Sequence, residues 1–335
     1  MTGTVSATET AGGVAGPAEV PRRPALSPSR AADFKQCPLL YRFRAIDRLP
    51  EVPGRAQVRG TLVHAVLERL YALPAAERVP DAARALVAPA WAQLRAAEPD
   101  LAAALFGDGA GAAAPPIPDL PAPESPAPDT AAPDAAATWL AGVDPLLDAY
   151  FALEDPRLLE PQAVEQLVEV ELESGLLLRG YVDRIDPVGS AGDAGANDAG
   201  GYRVVDYKTG SAPRPVAEAR ALFQMKFYAL VLLLLRGRAP RELRLMYLNG
   251  PVTLHYVPDE EQLLRFGRTL EAMWTAIRAA GATGDFRPNP GPSCAWCSHR
   301  ALCPAWDGVP PPYPGWPTDT SGAAADAPAD DPTGA

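Results

Sequence analysis

Two short apolar runs that end in acidic residues constrain the fold of this chain most. The first is the sequence GYVDRID at 180–186, and the second is VVDYKTG at 204–210. Side chains along a strand alternate between two faces, so Asp206 and Lys208 share a face. If the two runs are adjacent strands, Asp183 lies close to this pair. Two carboxylates beside a lysine can hold a divalent cation with a positive charge next to it, an arrangement suited to metal-assisted phosphodiester hydrolysis.

An Asp-x-Lys pair taken alone is usually a solvated strand end with a weak ion pair. The interpretation therefore depends on the remaining motifs. A helix is predicted at 60–71, where Val63, Val66, Leu67 and Leu70 form an apolar face. His64 lies beside that face, where a single histidine is more often structural than a metal ligand. Gln224 and Tyr228 share a face of another predicted helix, because they are four residues apart.

The distribution of charge decides whether a nucleic acid is an acceptable partner. The net charge of the 335-residue chain is −11, which argues against DNA until its location is considered. Three segments (98–137, 188–201 and the tail after 309) hold thirteen acidic residues and no Lys or Arg. The remaining chain has a net charge of +2, which permits DNA binding without requiring it.

The N-terminal segment carries a second candidate contact with DNA. Ser27 or Ser29 can cap a helix that runs toward Tyr41 and is interrupted at Cys37-Pro38. Basic and aromatic side chains crowd this segment, and they predict a surface that holds phosphates or stacks bases through Arg30, Tyr41 and Arg42. An ordinary amphipathic helix with a solvated basic face explains the same pattern equally well.

The cysteines indicate a metal centre. Cys294, Cys297 and Cys303 lie within ten residues of each other, and the fourth cysteine of the chain is Cys37. In a cytoplasmic protein such spacing favours a metal over disulfides. One zinc ion or one [4Fe–4S] cluster could take four thiolates. Either centre would join the N-terminal segment to the C-terminal one.

The order of the predicted elements indicates an α/β (α+β) fold. Helices come first, followed by three strands, a long helix, two strands and a last helix, which implies a mixed sheet with helices packed against it. The predicted divisions are a disordered tail (1–25), a folded domain (26–306), a flexible acidic insertion in that domain (99–135), a cysteine module (288–306) and a disordered acidic tail (307–335).

The sequence favours a cytoplasmic protein without a membrane partner. No apolar stretch approaches the roughly 20 residues of a membrane span. The apolar run at 229–235 is flanked by Lys226 and Arg236, as in a buried helix. The N-terminus also lacks a basic patch followed by an apolar core, so no signal peptide is predicted.

Taken together, these motifs resemble the RecB-like branch of the PD-(D/E)XK nuclease superfamily. They are most similar to the members with a four-cysteine iron–sulfur staple, such as the AddB-type nuclease subunits and the CRISPR-associated exonucleases. The resemblance covers about 27–306 without the insertion. Its motifs, in the order of the family, are LSPS at 26–29 before Cys37-Pro38, GTLVH at 60–64, the two acidic runs, 224–228 and the cysteine trio.

The resemblance implies a restriction-endonuclease-like core and a set of functional residues. The metal ligands for Mg²⁺ or Mn²⁺ would be His64, Asp183 and Asp206. Lys208 would orient the attacking water or stabilise the transition state. Gln224 and Tyr228 would support the site and contact DNA, and Glu171 is a candidate for an upstream glutamate. The residues expected to hold a [4Fe–4S] cluster are Cys37, Cys294, Cys297 and Cys303.

The resemblance also implies an activity and its partners. The chain would be a DNA exonuclease of recombination or repair that acts on single strands or duplex ends. No Gly-x-x-x-x-Gly-Lys-Ser/Thr motif occurs, so unwinding would require a helicase partner. The alternative is a non-catalytic DNA-binding or scaffold module that keeps the fold and an iron–sulfur or zinc staple.

Overall fold

The computed structural model of the protein describes residues 24–107, 135–189, 201–212 and 215–317, and the side chains of these residues except 215–220. Most of the predicted N-terminal tail, most of the predicted insertion, and the spacer at 190–200 lie outside the described residues. So does the end of the chain after residue 317.

The centre of the described structure is one mixed sheet. Its strands are β1 (Ala25–Leu26), β2 (Ala163–Glu171), β3 (Leu177–Val188), β4 (Gly201–Ser211), β5 (Glu242–Asn249) and β6 (Val252–Tyr256). The order along the sheet is β1-β3-β4-β5-β6, and β2 pairs with β3. The β4–β5 and β1–β3 pairs are parallel, whereas the β2–β3, β3–β4 and β5–β6 pairs are antiparallel.

Helices cover both faces of this sheet. They are α1 (Pro28–Gln36), α2 (Pro38–Tyr41), α3 (Arg55–Tyr71), α4 (Pro80–Ala97), α5 (Leu101–Phe106), α6 (Ala135–Ala141), α7 (Asp144–Leu153), α8 (Pro215–Arg236) and α9 (Glu260–Thr283). A π-helical turn, Arg42–Ile46, follows α2, and short 3₁₀ turns lie at Ala75–Glu77, Pro156–Leu158, Pro292–Trp296, Arg300–Leu302 and Pro304–Trp306. The predicted mixed sheet flanked by helices is therefore confirmed.

Two hydrophobic cores lie on opposite faces of the sheet. The first joins the sheet to α8 and α9 through buried side chains such as Val182, Val204 and Leu230. The second joins it to α3, α4 and α7 through side chains such as Leu62, Tyr150 and Tyr207. Successive residues of β4 alternate between the two cores, as the period of a strand requires.

Local sequence signals explain where the first helices begin and end. The Ser27 hydroxyl accepts a hydrogen bond from the backbone N–H of Arg30 at 3.3 Å and caps α1. Cys37 ends α1, and Pro38 begins α2, because proline has no N–H to continue the first helix. At the other end of the chain, the Asp259 carboxylate caps α9 through the N–H of Gln262 at 2.8 Å.

Two predicted boundaries differ from the structure. The insertion predicted at 99–135 begins with α5, whose Leu101 and Leu105 are buried beside Trp139. The acidic tail predicted from 307 begins with an ordered segment, in which Tyr313 contacts Phe286 and Trp316 contacts Trp274. In both cases large apolar side chains occur in a Pro- or Ala-rich context that resembles a linker. Within the described residues, no helix is both long and apolar enough to cross a membrane.

Candidate active site

The candidate site lies where β3 and β4 separate. The two strands pair from Val188↔Gly201 to Arg184↔Val205 and no further. The next residues toward the fork are Asp183 and Asp206, so each carboxylate is presented beside the opening. One oxygen of Asp183 accepts a hydrogen bond from the backbone N–H of Tyr207 at 2.7 Å. The first acidic residue is therefore held by the strand that carries the second.

Strand β2 adds a carboxylate that the sequence did not reveal. Val164 pairs with Arg184 and Gln166 with Val182, so the register places Glu165 opposite Asp183. Side chains at opposed positions of a sheet share a face. Glu165 has a φ of 47°, a left-handed conformation that is uncommon for glutamate and clusters at functional sites. The predicted glutamate, Glu171, lies opposite Leu177 instead, six residues along β2 and away from the site.

Helix α3 approaches β4 closely enough to bring in His64. A Cβ atom at Gly60 would lie 3.1 Å from Thr209 Oγ1, so glycine permits the approach one turn before the histidine. The His64 Nε2 atom lies 3.1 Å from the backbone oxygen of Tyr207. Because a carbonyl only accepts, Nε2 carries a proton. His64 Nδ1 then faces the carboxylates, at 3.3 Å from Glu165 and 3.6 Å from Asp183.

These three side chains form a candidate metal site. The ligand atoms of His64, Glu165 and Asp183 all lie within 4.8 Å of one another. An imidazole and two carboxylates match the ligands that Mn²⁺ and Mg²⁺ accept. The backbone oxygen of Tyr207 orients the imidazole from behind, a common arrangement for a metal-binding histidine. The donor set therefore fits a divalent cation.

The electrostatics of this group also favour a cation. Burial and the charge of Asp206 raise the pKa of Asp183 to about 7, against the opposing effect of His64. Burial lowers the pKa of His64, but the charge of Asp183 and the hydrogen bond with Glu165 outweigh burial and raise it to about 9. Three carboxylates, two of them buried, thus lie around the positive charges of His64 and Lys208, and a divalent ion would relieve their remaining repulsion.

Asp206 belongs to a second, adjacent network. Its Oδ2 lies 2.6 Å from Lys208 Nζ, and its Oδ1 accepts a hydrogen bond from Gln224 Nε2 at 2.9 Å. Lys208 Nζ donates to Gln224 Oε1 at 2.9 Å, which closes a ring of three side chains. Asp206 is not a member of the 4.8 Å group. The structure thus brings together all five residues predicted for this chemistry and His64, but it divides them into two networks.

The protonation states of this ring follow from its contacts. Burial opposes the charge of Lys208, but the neighbouring Asp206 carboxylate outweighs burial and raises the pKa of the ammonium. Lys208 therefore remains a cation at neutral pH. Gln224 Nε2 also lies 3.1 Å from the hydroxyl oxygen of Tyr228. Burial raises the pKa of Tyr228 well above its usual range, so this side chain stays a neutral phenol.

The four cysteines lie around one cleft beside α1 and the C-terminal 3₁₀ turns. The cleft is lined by Cys37, Cys294, Cys297 and Cys303 together with His299. Backbone N–H groups point at two of the sulfurs, from Asn289 to Cys37 Sγ and from Gly291 to Cys294 Sγ, each at 3.4 Å. Burial and the charges of the other three thiols raise the pKa of Cys297, although a backbone N–H lowers it.

The four thiols fit either centre that the sequence left open. Four cysteine sulfurs can hold one zinc ion or one [4Fe–4S] cluster. Because all four line the same cleft, Cys37 is brought to the three cysteines of the C-terminal turns, from which it is far apart in the chain.

Two of the three predicted DNA contacts are buried. Tyr41 is 3 % exposed and Arg42 is 5 % exposed. The Arg42 guanidinium pairs with Asp47 at 3.0 Å and lies over the Tyr313 ring, so both residues stabilise the fold rather than face a ligand. Arg30 is half-buried and donates to the backbone oxygen of Ala25 at 3.0 Å. The basic-aromatic pattern is thus largely a packing pattern.

Comparison with protein-family models identifies the class. The model of the PD-(D/E)XK nuclease superfamily matches residues 25–304, so the chain belongs to that superfamily. Comparison with curated proteins gave no match. The mixed sheet with its acidic fork is the restriction-endonuclease-like core expected of such a nuclease, and membership indicates metal-dependent cleavage of nucleic acid.

Proposed function

We propose that this protein is a Mg²⁺- or Mn²⁺-dependent deoxyribonuclease that acts as an exonuclease in DNA recombination or repair. The convergence of His64, Glu165 and Asp183 beside the Asp206–Lys208 pair supports this most strongly. Membership of the nuclease superfamily supports the metal dependence. The resemblance to RecB-like nucleases supports the exonucleolytic mode and a helicase partner.

Each residue of the fork has a separate role in this proposal. His64, Glu165 and Asp183 would hold the ion, whereas Asp206, a ligand predicted from the sequence, pairs with Lys208. The bound ion would neutralise the scissile phosphate and lower the pKa of a coordinated water. Lys208 stays protonated because of Asp206, so it orients the attacking water and stabilises the negative charge of the transition state. It does not act as a general base.

Gln224 and Tyr228 position this machinery. The amide of Gln224 donates to Asp206 and accepts from Lys208, which fixes the distance between the two charges. Tyr228 supports the amide from the neighbouring turn of α8. Such a ring limits the rotamers of the long Lys208 side chain, and positioning of this kind lowers the entropy lost on reaching the transition state.

The cysteine cleft is proposed to hold a [4Fe–4S] cluster through Cys37, Cys294, Cys297 and Cys303. The four thiols that line one cleft and the two N–H···S contacts support it. Cys37 precedes α2, whereas the other three follow α9. The cluster would therefore staple the two ends of the nuclease domain together.

Cleavage of defined DNA tests the proposed activity. We expect anaerobically purified protein to degrade end-labelled linear DNA in the presence of Mg²⁺ or Mn²⁺. Lys208→Ala should reduce the rate by at least about 10²-fold, because it removes a charge aimed at the transition state. The variant should remain folded at the assay temperature, which a melting curve checks. A product ladder would give the polarity. Equal rates for both proteins would refute the assignment, and an inactive wild type would favour a binding module.

A further inference from the structure

An exposed aromatic ring stands next to the candidate active site. Tyr181 lies on β3, two residues before Asp183. It is 54 % exposed, whereas the adjacent Val182 is fully buried. Within the described part of the chain, the Tyr181 side chain has no hydrogen bond, ion pair or ring contact. The fold therefore does not explain why a large aromatic side chain occupies this position.

The register of β2 and β3 determines which way this ring points. Three consecutive opposed pairs follow from the register, at Glu165 and Asp183, Leu167 and Tyr181, and Glu169 and Arg179. The last pair makes an ion pair at 2.9 Å, which confirms that opposed side chains share a face here. The alternate residues of β3, Leu178 and Val182, are buried in the core with α8. Tyr181 thus lies on the face away from α8, and α3, which covers that face, brings His64 to 3.6 Å from Asp183.

The distance from the fork is suitable for a neighbouring nucleotide. Two residues of a strand span about 6.7 Å, which equals about two stacking steps of a nucleic-acid strand at 3.4 Å each. A strand whose phosphate lies at the fork would therefore pass over the Tyr181 ring within one or two nucleotides. Leu167, which is half-buried at the opposed position, extends the apolar surface on which a flat ring could rest.

The charges on this face favour a base over a phosphate. Arg179 and Glu169 neutralise each other, and Glu165 adds a negative charge. Apart from a bound metal ion, these side chains offer little attraction to a phosphate group. A nucleobase needs only an apolar, polarisable surface, and an aromatic side chain supplies this for any of the four bases. A base inside an intact duplex cannot reach such a surface without leaving its stack.

We infer that Tyr181 and Leu167 form a nucleobase subsite that stacks an unpaired base next to the scissile phosphate. The inference rests on the proposed function, because it assumes that a DNA strand crosses the fork. Tyr181 is here a binding residue that holds the strand in place, and it takes no part in the chemistry. The ligand is any single-stranded deoxynucleotide segment, including a frayed duplex end.

Binding of DNA with one missing base tests this inference. The probe is a fluorescein-labelled single-stranded 20-mer, in a series that carries one abasic site at each successive position. Anisotropy titrations with Mg²⁺ would compare the Lys208→Ala protein with the double variant that also carries Tyr181→Ala. The Lys208→Ala substitution is present in both proteins because it slows cleavage of the probe. We expect Tyr181→Ala to weaken binding by about ten-fold. In the protein that keeps Tyr181, one abasic position should weaken binding by a similar factor. In the protein with Tyr181→Ala, the same abasic position should cause no further loss.

Matched variants complete the test. Tyr181→Phe keeps the ring and should change the Kd by less than about two-fold, whereas Tyr181→Leu should resemble Tyr181→Ala. Leu264→Ala removes another exposed apolar side chain, on α9, and should change nothing. Unchanged affinity in Tyr181→Ala, or additive losses at every abasic position, would overturn the subsite. A different result would contradict the proposed function: wild-type protein, with Tyr181 and Lys208 intact, that binds the strand but does not cut it.

Discussion

Glycine at position 180 leaves space for the ring of Tyr228, the residue that supports Gln224. A Cβ atom at Gly180 would lie 2.7 Å from a ring carbon of Tyr228, closer than real Cβ contacts. Tyr228 in turn lies 3.1 Å from the Gln224 amide that spans Asp206 and Lys208. The absence of a methyl group at Gly180 thus lets Tyr228 hold the Gln224 amide, which in turn fixes the distance between the charges of Asp206 and Lys208.

Gly180→Ala should therefore damage both stability and activity. Overpacking costs about 1–3 kcal/mol, and the displaced Tyr228 should reduce the cleavage rate by more than the loss of folded protein explains. Urea unfolding and a cleavage assay on the same sample measure the two effects. Gly210→Ala is the control, since nothing lies within 4 Å of a Cβ atom there. Equal behaviour of the two variants would contradict this account of Gly180.

Glu165 and Glu171 provide a second comparison at the scale of residues. Both are glutamates of β2, and only Glu165 lies within ligand distance of His64 and Asp183. We expect Glu165→Gln to raise the Mn²⁺ concentration needed for half-maximal cleavage by about ten-fold or more, because it removes a charged ligand. Glu171→Gln should leave it unchanged. A larger effect from Glu171→Gln would restore the glutamate predicted from the sequence.

The sequence could not choose between these glutamates for a physical reason. Acidic and apolar residues alternate along 163–173, so several carboxylates look alike. The choice depends on which residue of β2 lies opposite Asp183, and register is a property of strand pairing rather than of the strand itself. The sequence does predict two pairs, Asp206 with Lys208 and Gln224 with Tyr228. Their spacing within one strand or one helix already puts the members of each pair on a common face.

At the scale of elements, a buried arginine joins α7 to the back of the fork. Arg184 is fully buried and follows Asp183 directly. Its guanidinium lies 2.9 Å from Glu154 at the end of α7, 2.9 Å from Asp186, and 2.6 Å from the Tyr207 hydroxyl. The backbone of Tyr207 holds both Asp183 and His64. This network therefore fixes the strand segment that presents the candidate ligands.

Glu154→Gln should destabilise the protein in a pH-dependent way. Burial raises the pKa of Glu154, but its hydrogen bond and charge pairing with Arg184 outweigh burial and hold the pKa below the usual value. The unfolded chain therefore takes up this proton first as the pH falls. The stability gained from the pair is present above the usual carboxyl range and is lost as the pH falls from there through the lower pKa of Glu154 in the folded state.

Denaturant unfolding at several pH values measures this contribution. At pH 7 the wild type should exceed Glu154→Gln by about 3 kcal/mol, because the variant leaves a buried charge poorly compensated. The difference should shrink as the pH falls below about 4. Asp155→Asn alters a neighbouring, partly exposed ion pair with Arg157 and should have little effect at either pH. A difference independent of pH would contradict the role given to the Glu154 charge.

Element boundaries show what the sequence could and could not predict at this scale. The long helices and all strands except β1 are readable from periodicity and from caps such as Ser27. Strand β1 has only two residues, too few for a period. Tyr41 and Arg42 resemble a basic surface in the sequence, but Tyr41 packs on Phe34 and Phe286, and the ordered segment after residue 307 covers Arg42. That segment is rich in proline, and only its tertiary contacts reveal that it is ordered.

At the scale of the whole molecule, the proposed cluster would join segments more than 250 residues apart in the chain. We expect Cys297→Ser to lose the visible absorption of the cluster and to lower the melting temperature, because binding of such a group is coupled to folding. Ser298→Ala alters the adjacent residue without removing a thiol and serves as the control. A variant that keeps its iron and its melting temperature would contradict the staple, and a colourless wild type that contains zinc would replace iron–sulfur with zinc.

The contacts between the two ends of the domain also have a consequence for synthesis on the ribosome. Tyr41 stacks on Phe286 with ring centroids 6.2 Å apart, Asn289 donates to the backbone oxygen of Gln36 at 2.9 Å, and Arg42 donates to the backbone oxygen of Pro311. The first helices leave the ribosome long before these partners exist. Their apolar side chains therefore stay uncovered until the segment from Phe286 to Pro311 has emerged. Chaperones that shield nascent chains would therefore act on this N-terminal segment first.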